Sequence, residues 1–147
     1  ADYDLVSSGK TGHAEAVEVT FDPKVVSYDE LLRIFFSVAT DPTQLNQQFP
    51  DAGPQYRNEI FYIGADQKKV AEAYIAQLNR AKAFRRPIVT KVTASPTFYP
   101  AEPYHQNYLV NNPRQPYIAI YDMPKLTALK KHFPSRYREK PVLVAMR

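Results

Sequence analysis

The sequence predicts an α+β fold, an α/β two-layer sandwich in which helices pack on a mixed sheet. Three observations carry this. Residues 15–21 alternate strictly between apolar and polar, the period of a half-buried strand. Residues 27–38 and 66–78 place apolar side chains at helical spacing. Short apolar runs at 58–63 and 88–94 read as further strands, so strands and helices alternate along the chain.

Taken in order, Val17, Val19 and Phe21 share one face of the first strand and Ala16, Glu18 and Thr20 the other. Asp22-Pro23 ends it. Ser27 with Glu30 forms a capping box, and Leu31, Ile34, Phe35 and Val38 continue a helix to about Val38. Asp41-Pro42 closes that helix. Residues 43–55 are polar and turn-rich, a loop long enough to carry function. After the strand at 58–63, Asp66 is placed to cap a second helix with Val70, Tyr74 and Leu78 at steps of four. A third strand is expected at 88–94. Residues 102–110 suit a short helix that stacks Tyr104 and Tyr108 one turn apart. A last helix is expected around 125–132, in a Pro-rich tail that is expected to wrap around the domain.

The 147 residues suit one domain, and 44% hydrophobic with 13% aromatic residues can fill a core. Eleven Tyr and no Trp favour an interior with hydroxyl partners or a wet pocket. The chain has no Cys, which excludes a disulfide framework, a thiolate zinc site and a cysteine nucleophile within it. No apolar stretch approaches a membrane span. Ala1-Asp2-Tyr3-Asp4 is neither a Met start nor a signal peptide, and it reads as the middle of a longer sequence. The cytoplasm is the default compartment, and export through an upstream leader is compatible with this start. The net charge of +4 is concentrated in the tail, where seven bases between Lys125 and Arg147 face one acid, Glu139. Its plain reading is a solvated face; no nucleic-acid motif accompanies it.

Few side chains are placed for chemistry. Glu15 is in phase with Val17, Val19 and Phe21, so its carboxyl would start the buried face of the first strand. Burial would raise its pKa and keep a proton on it near neutral pH, as a general acid requires. The alternative is a strand-end Glu that turns to solvent or pairs with His13 or Lys10. Asp51 and Tyr56 flank the turn Ala52-Gly53-Pro54 and could point into a site. His105 lies in an aromatic run from Phe98 to Tyr108 and could be a base, a ligand or a pocket wall. Three scattered His make a metal site improbable, and four Gly in no suitable series exclude a phosphate-binding loop.

The run Ser8-Gly9-Lys10-Thr11-Gly12-His13-Ala14-Glu15-Ala16-Val17 resembles the Ser-Gly-x-Thr-Gly-His-x-Glu-x-Val block of A-type peptide-methionine sulfoxide reductases. Three further blocks follow in the same order: Asp41-Pro42-Thr43, then Asp51-Ala52-Gly53-Pro54-Gln55-Tyr56-Arg57, then Thr97-Phe98-Tyr99-Pro100-Ala101-Glu102-Pro103-Tyr104-His105-Gln106. The resemblance covers residues 3–112 and implies a ferredoxin-like core over 1–112. It leaves 113–147 as a basic, Pro-rich extension.

The resemblance implies reduction of methionine-S-sulfoxide, free or in peptides, by a cysteine that becomes a sulfenic acid. A second thiol and finally thioredoxin, or another external thiol, would restore it, with no bound cofactor. The acid falls on Glu15, the two tyrosines on Tyr3 and Tyr56, and the second carboxylate on Asp51. His105, Tyr108 and Gly53 fall on substrate-binding positions. One departure is large: the family's Gly-Cys-Phe-Trp motif, with the nucleophile and the aromatic box, is absent. The expectation is therefore that another polypeptide supplies that strand, that the chain is a remnant, or that the parent is split. The chain alone is expected to be inactive. The alternative is a non-catalytic module that binds oxidised methionine. Nucleic acid and membranes are not expected partners.

Overall fold

The computed structural model describes residues 2–144; Ala1 and the last three positions of the basic tail, Arg147 among them, lie outside the described residues. The backbone forms two compact units, residues 2–98 and the residues from Tyr99 onward.

The first unit opens with helix α1 (Tyr3–Ser7), capped by the Asp2 carboxylate, which accepts from the Asp4 and Leu5 N–H groups at 3.0 and 3.2 Å. Residues 13–22 follow in irregular conformation. The strand expected at 15–21 is therefore absent. Alternation supplies a face, but a strand also needs a neighbour to take its backbone groups. Among the described residues none pairs with 16–21, and Val17 and Val19 stand 87% and 59% exposed.

Helix α2 (Tyr28–Ile34) starts where the capping box predicts, with Ser27 Oγ accepting from Glu30 N–H at 3.2 Å. A π turn, Phe35–Ala39, extends it to the predicted end. The polar loop that follows contains a hairpin of two-residue strands, β1 (Gln47–Gln48) and β2 (Asp51–Ala52), with Gln48 opposite Asp51. Gln48 also braces the Asp41 turn. Its amide accepts from Asp41 N–H (3.0 Å) and donates to Asp41 C=O (2.8 Å). Partial burial opposes ionisation of the Asp41 carboxyl. Hydrogen bonds from Thr43 and Gln44 and the charge of Arg86 outweigh that burial and hold its pKa below the usual range.

Strand β3 (Glu59–Tyr62), helix α3 (Gly64–Arg80) and strand β4 (Lys91–Ala94) form a βαβ unit, with the two strands parallel and Glu59 opposite Lys91. Asp66 is not the cap of α3. The helix begins two residues earlier, where Gly64 turns the chain (φ 81°) and the Gln67 amide accepts from Ile63 N–H at 2.8 Å. Strand β4 is shorter than expected because Val89 N–H is taken by the Pro42 carbonyl (2.8 Å) before the ladder begins. Leu32, Phe36 and Ala71 form the buried core between α2 and α3, with Tyr74, Ile75, Ile60 and Val92 packed against it. Helices over a strand pair make this an α+β fold.

The second unit contains a 3-10 turn (Pro103–His105), α4 (Tyr108–Asn111), a π turn (Ile118–Asp122) and α5 (Met123–His132). The helix expected over 102–110 is broken by Asn107, whose left-handed φ of 56° interrupts it. The Tyr104 ring meets His105, at 4.1 Å, instead of reaching Tyr108 through a helical turn. Helix α5 closely matches the one expected at 125–132. Ile118 and Phe133 are buried in this unit.

Candidate active site

The turn after β2 brings distant segments together. Gly53 adopts φ 140°, and its N–H donates to the Asn46 carbonyl at 2.8 Å. A 3-10 turn, Pro54–Tyr56, follows. Gln55 is buried at 7% exposure. Its side-chain Nε2 donates to the Ser7 carbonyl at the end of α1 (3.0 Å), and its own carbonyl accepts from Glu15 N–H (2.8 Å). One residue thus ties the helix that begins with Tyr3 and the segment that carries Glu15 to the turn that carries Tyr56.

Only glycine suits position 53, because a Cβ there would lie 2.3 Å from Gln55 Oε1 and 2.8 Å from its Cδ. Gly53→Ala is expected to cost roughly 1–3 kcal/mol through strain and a displaced Gln55. Urea unfolding measures it, and an unchanged midpoint would mean that the turn has room to spare.

The electrostatics follow from this convergence. Burial first, then the charges of Glu15 and Asp51 and the phenol of Tyr3, push the Tyr56 pKa above the ordinary phenol value; contact with the Gln55 amide opposes them. Each of the larger effects favours the neutral phenol, so Tyr56 is a hydrogen-bond donor throughout the neutral range. Tyr3, Glu15, Asp51 and Tyr56 therefore share one electrostatic neighbourhood. Their surroundings differ from the sequence expectation in one respect: Glu15 does not open a buried strand face but lies on an exposed segment. Tyr3 is 45% exposed, and Asp51 and Tyr56 are half-buried.

His105 ends the 3-10 turn of the second unit, with Nε2 4.0 Å from Glu102, and Tyr108 opens α4. No group of three His, Asp or Glu among the described residues could hold a metal ion, and no described helix is long and apolar enough to cross a membrane.

Sequence reasoning gave no role to Gln55, Arg57 or Glu59. Arg57 donates to the carbonyls of Gly12, His13 and Pro54 and to the Glu59 carboxylate. Gln55 and Arg57 stand in the family block Asp51–Arg57, which gave them no role, and Glu59 lies outside it. Polar side chains that work by bonding to backbone leave no periodic trace.

Comparison with known proteins gives the family of the chain. The family model described as peptide methionine sulfoxide reductase matches residues 1–137. Peptide methionine sulfoxide reductase MsrA 2 of Mesorhizobium japonicum is 54% identical over 142 residues, 97% of this chain and 73% of that protein. The MsrA of Deinococcus radiodurans is 47% identical over 93% of this chain and 66% of its own length. Among solved structures, Mxr1 from Saccharomyces cerevisiae in reduced form superposes with a TM-score of 0.72 at 35% identity, covering 77% of this chain and 61% of that one. The methionine sulfoxide reductase A of Corynebacterium diphtheriae gives 0.65 at 35% identity, over 78% of this chain and 58% of its own. The chain thus spans roughly three fifths to three quarters of these relatives, and it belongs to the peptide methionine sulfoxide reductase family.

Proposed function

We propose that this chain supplies the proton-donating half of a methionine-S-sulfoxide reductase, acting on the free amino acid or on peptides. The observation that carries the reading is that Gln55 ties the end of the Tyr3 helix and the Glu15 segment to the Tyr56 turn, where the charges of Glu15 and Asp51 act on the Tyr56 phenol. A sulfoxide oxygen is a strong acceptor and becomes more basic as its sulfur is attacked. Tyr3 and Tyr56 donate hydrogen bonds to it, and Glu15 delivers the proton. Asp51 is the second carboxylate of the site. Gly53, His105 and Tyr108 are proposed substrate-binding positions. All these residues lie within 1–112, and the basic segment 113–147 is proposed as an extension that contributes none of them.

The electrons come from thiols, and this chain has no Cys. A thiolate from outside the chain, on a separate segment or another polypeptide, attacks the sulfoxide sulfur. The sulfur–oxygen bond breaks, methionine leaves as the thioether, and the protonated oxygen stays on the thiol as a sulfenic acid. A second thiol then forms a disulfide and releases water. Thioredoxin or another dithiol reduces that disulfide, so no bound cofactor enters the cycle.

The Cys-free composition favours a second reading for the chain by itself, a module that binds oxidised methionine without turnover. The isolated chain, given dithiothreitol and an S-sulfoxide peptide, is expected to bind the peptide saturably and to release no reduced product. Turnover by material whose intact mass proves it free of Cys would overturn the thiol mechanism. Equal binding of the R epimer would overturn the stereochemical assignment.

A further inference from the structure

Arg57 follows Tyr56 directly, and its guanidinium joins four groups. Nη1 donates to the carbonyls of His13 (3.2 Å) and Pro54 (3.0 Å), Nη2 to that of Gly12 (3.2 Å), and Nε to the Glu59 carboxylate. Glu59 is anchored in turn: its side chain is 6% exposed, its other oxygen accepts from Thr93 Oγ1 at 2.6 Å, and it sits in the β3–β4 ladder. His13 lies two residues before Glu15, and Pro54 two residues before Tyr56.

A guanidinium presents its donors in a rigid planar fork, so the carbonyls it holds keep fixed places relative to one another. That matters here because the residues after Glu15 enter no ladder among the described residues. The Arg57 bonds to Gly12 and His13, with Glu15 N–H on the Gln55 carbonyl, tie the Glu15 segment to the Tyr56 turn.

We infer that Arg57, anchored by Glu59, is a positioning residue that sets the Glu15 carboxyl against the Tyr56 phenol. The inference rests on the reductase reading and adds to it the part that aligns acid and phenol. Arg57 touches no substrate in this role. It differs from a plain structural ion pair in one measurable way: it governs how strongly Glu15 is felt at Tyr56. Lysine keeps the charge but lacks the fork, so Arg57→Lys separates alignment from charge.

The test is a double-mutant cycle on the alkaline titration of Tyr56, read as phenolate absorbance against matched chains that also carry Tyr56→Phe. In the wild-type chain, Glu15→Gln removes a negative neighbour and moves the Tyr56 titration to lower pH. With Arg57→Lys, Arg57→Gln or Glu59→Gln, that displacement is expected to fall to less than about half, because the two groups drift apart. Asp51→Asn is the internal reference. Asp51 is tied to the Tyr56 turn by β2 and by Gly53 N–H on Asn46 C=O, so its effect persists in every folded background. Should Arg57→Gln fail to fold, Arg57→Lys and Glu59→Gln carry the same comparison. An undiminished Glu15→Gln displacement in Arg57→Lys would overturn the inference. The sulfoxide reading fails separately, by an S-sulfoxide peptide that leaves the wild-type Tyr56 titration unmoved.

Discussion

Glu15→Gln, made in this chain joined to a family segment bearing the Gly-Cys-Phe-Trp motif, is expected to lower the rate of S-sulfoxide reduction by about 10²–10⁴-fold at neutral pH, the usual range for a lost general acid. Glutamine can still donate a hydrogen bond to the sulfoxide oxygen but has no proton to give up. Substrate affinity should fall far less than turnover, because the proton is needed only as the sulfur–oxygen bond breaks. Single-turnover kinetics with excess enzyme measures the step without interference from thiol recycling. A wild-type rate in the variant would place the acid elsewhere, and Asp51 would be next to examine. Tyr56→Phe should cost less, since it removes one of two phenolic donors and leaves the acid in place.

The largest expected loss of stability is that of Phe36→Ala. Phe36 is 4% exposed, stacks on Tyr74 with ring centroids 5.7 Å apart and planes 19° from parallel, and meets Phe35 edge-on at 5.1 Å. Deleting the ring removes its transfer free energy and leaves a cavity between α2 and α3, a loss of about 3–5 kcal/mol. Leu32 and Ala71 are the other buried members of this cluster. Urea unfolding followed by far-UV circular dichroism reads the loss. A change under about 1 kcal/mol would mean that α2 contributes little to the stability of the βαβ unit.

What the sequence revealed follows from which forces are local. Ser27 and Glu30 cap α2 through groups three residues apart, and the apolar spacing after them is helical; this helix could be read directly. The run at 58–63 became β3 with little change. Errors arose where a distant partner decides. Residues 15–21 alternate like a strand, yet no described strand takes them into a ladder. Residues 88–90 left the β4 ladder because the Pro42 carbonyl, far away in sequence, takes Val89 N–H. In 102–110 the left-handed Asn107 overrides a helical spacing that looks continuous in the sequence. The site divides in the same way. The strand phase that drew attention to Glu15 is not realised, since the residue lies on an exposed, irregular segment; a family resemblance grouped it with Tyr3, Asp51 and Tyr56. Neither signal exposed Gln55 and Arg57, which act through carbonyls that any residue could have supplied.

The parallel pairing of β3 with β4 also bears on how the chain folds. These strands meet only across the whole of α3, so the loop-closure entropy falls due before the ladder repays it. A helix formed early between them shortens that search. Damage to α3 should therefore appear mainly as slower refolding, whereas damage to the short β1–β2 hairpin should appear mainly as faster unfolding.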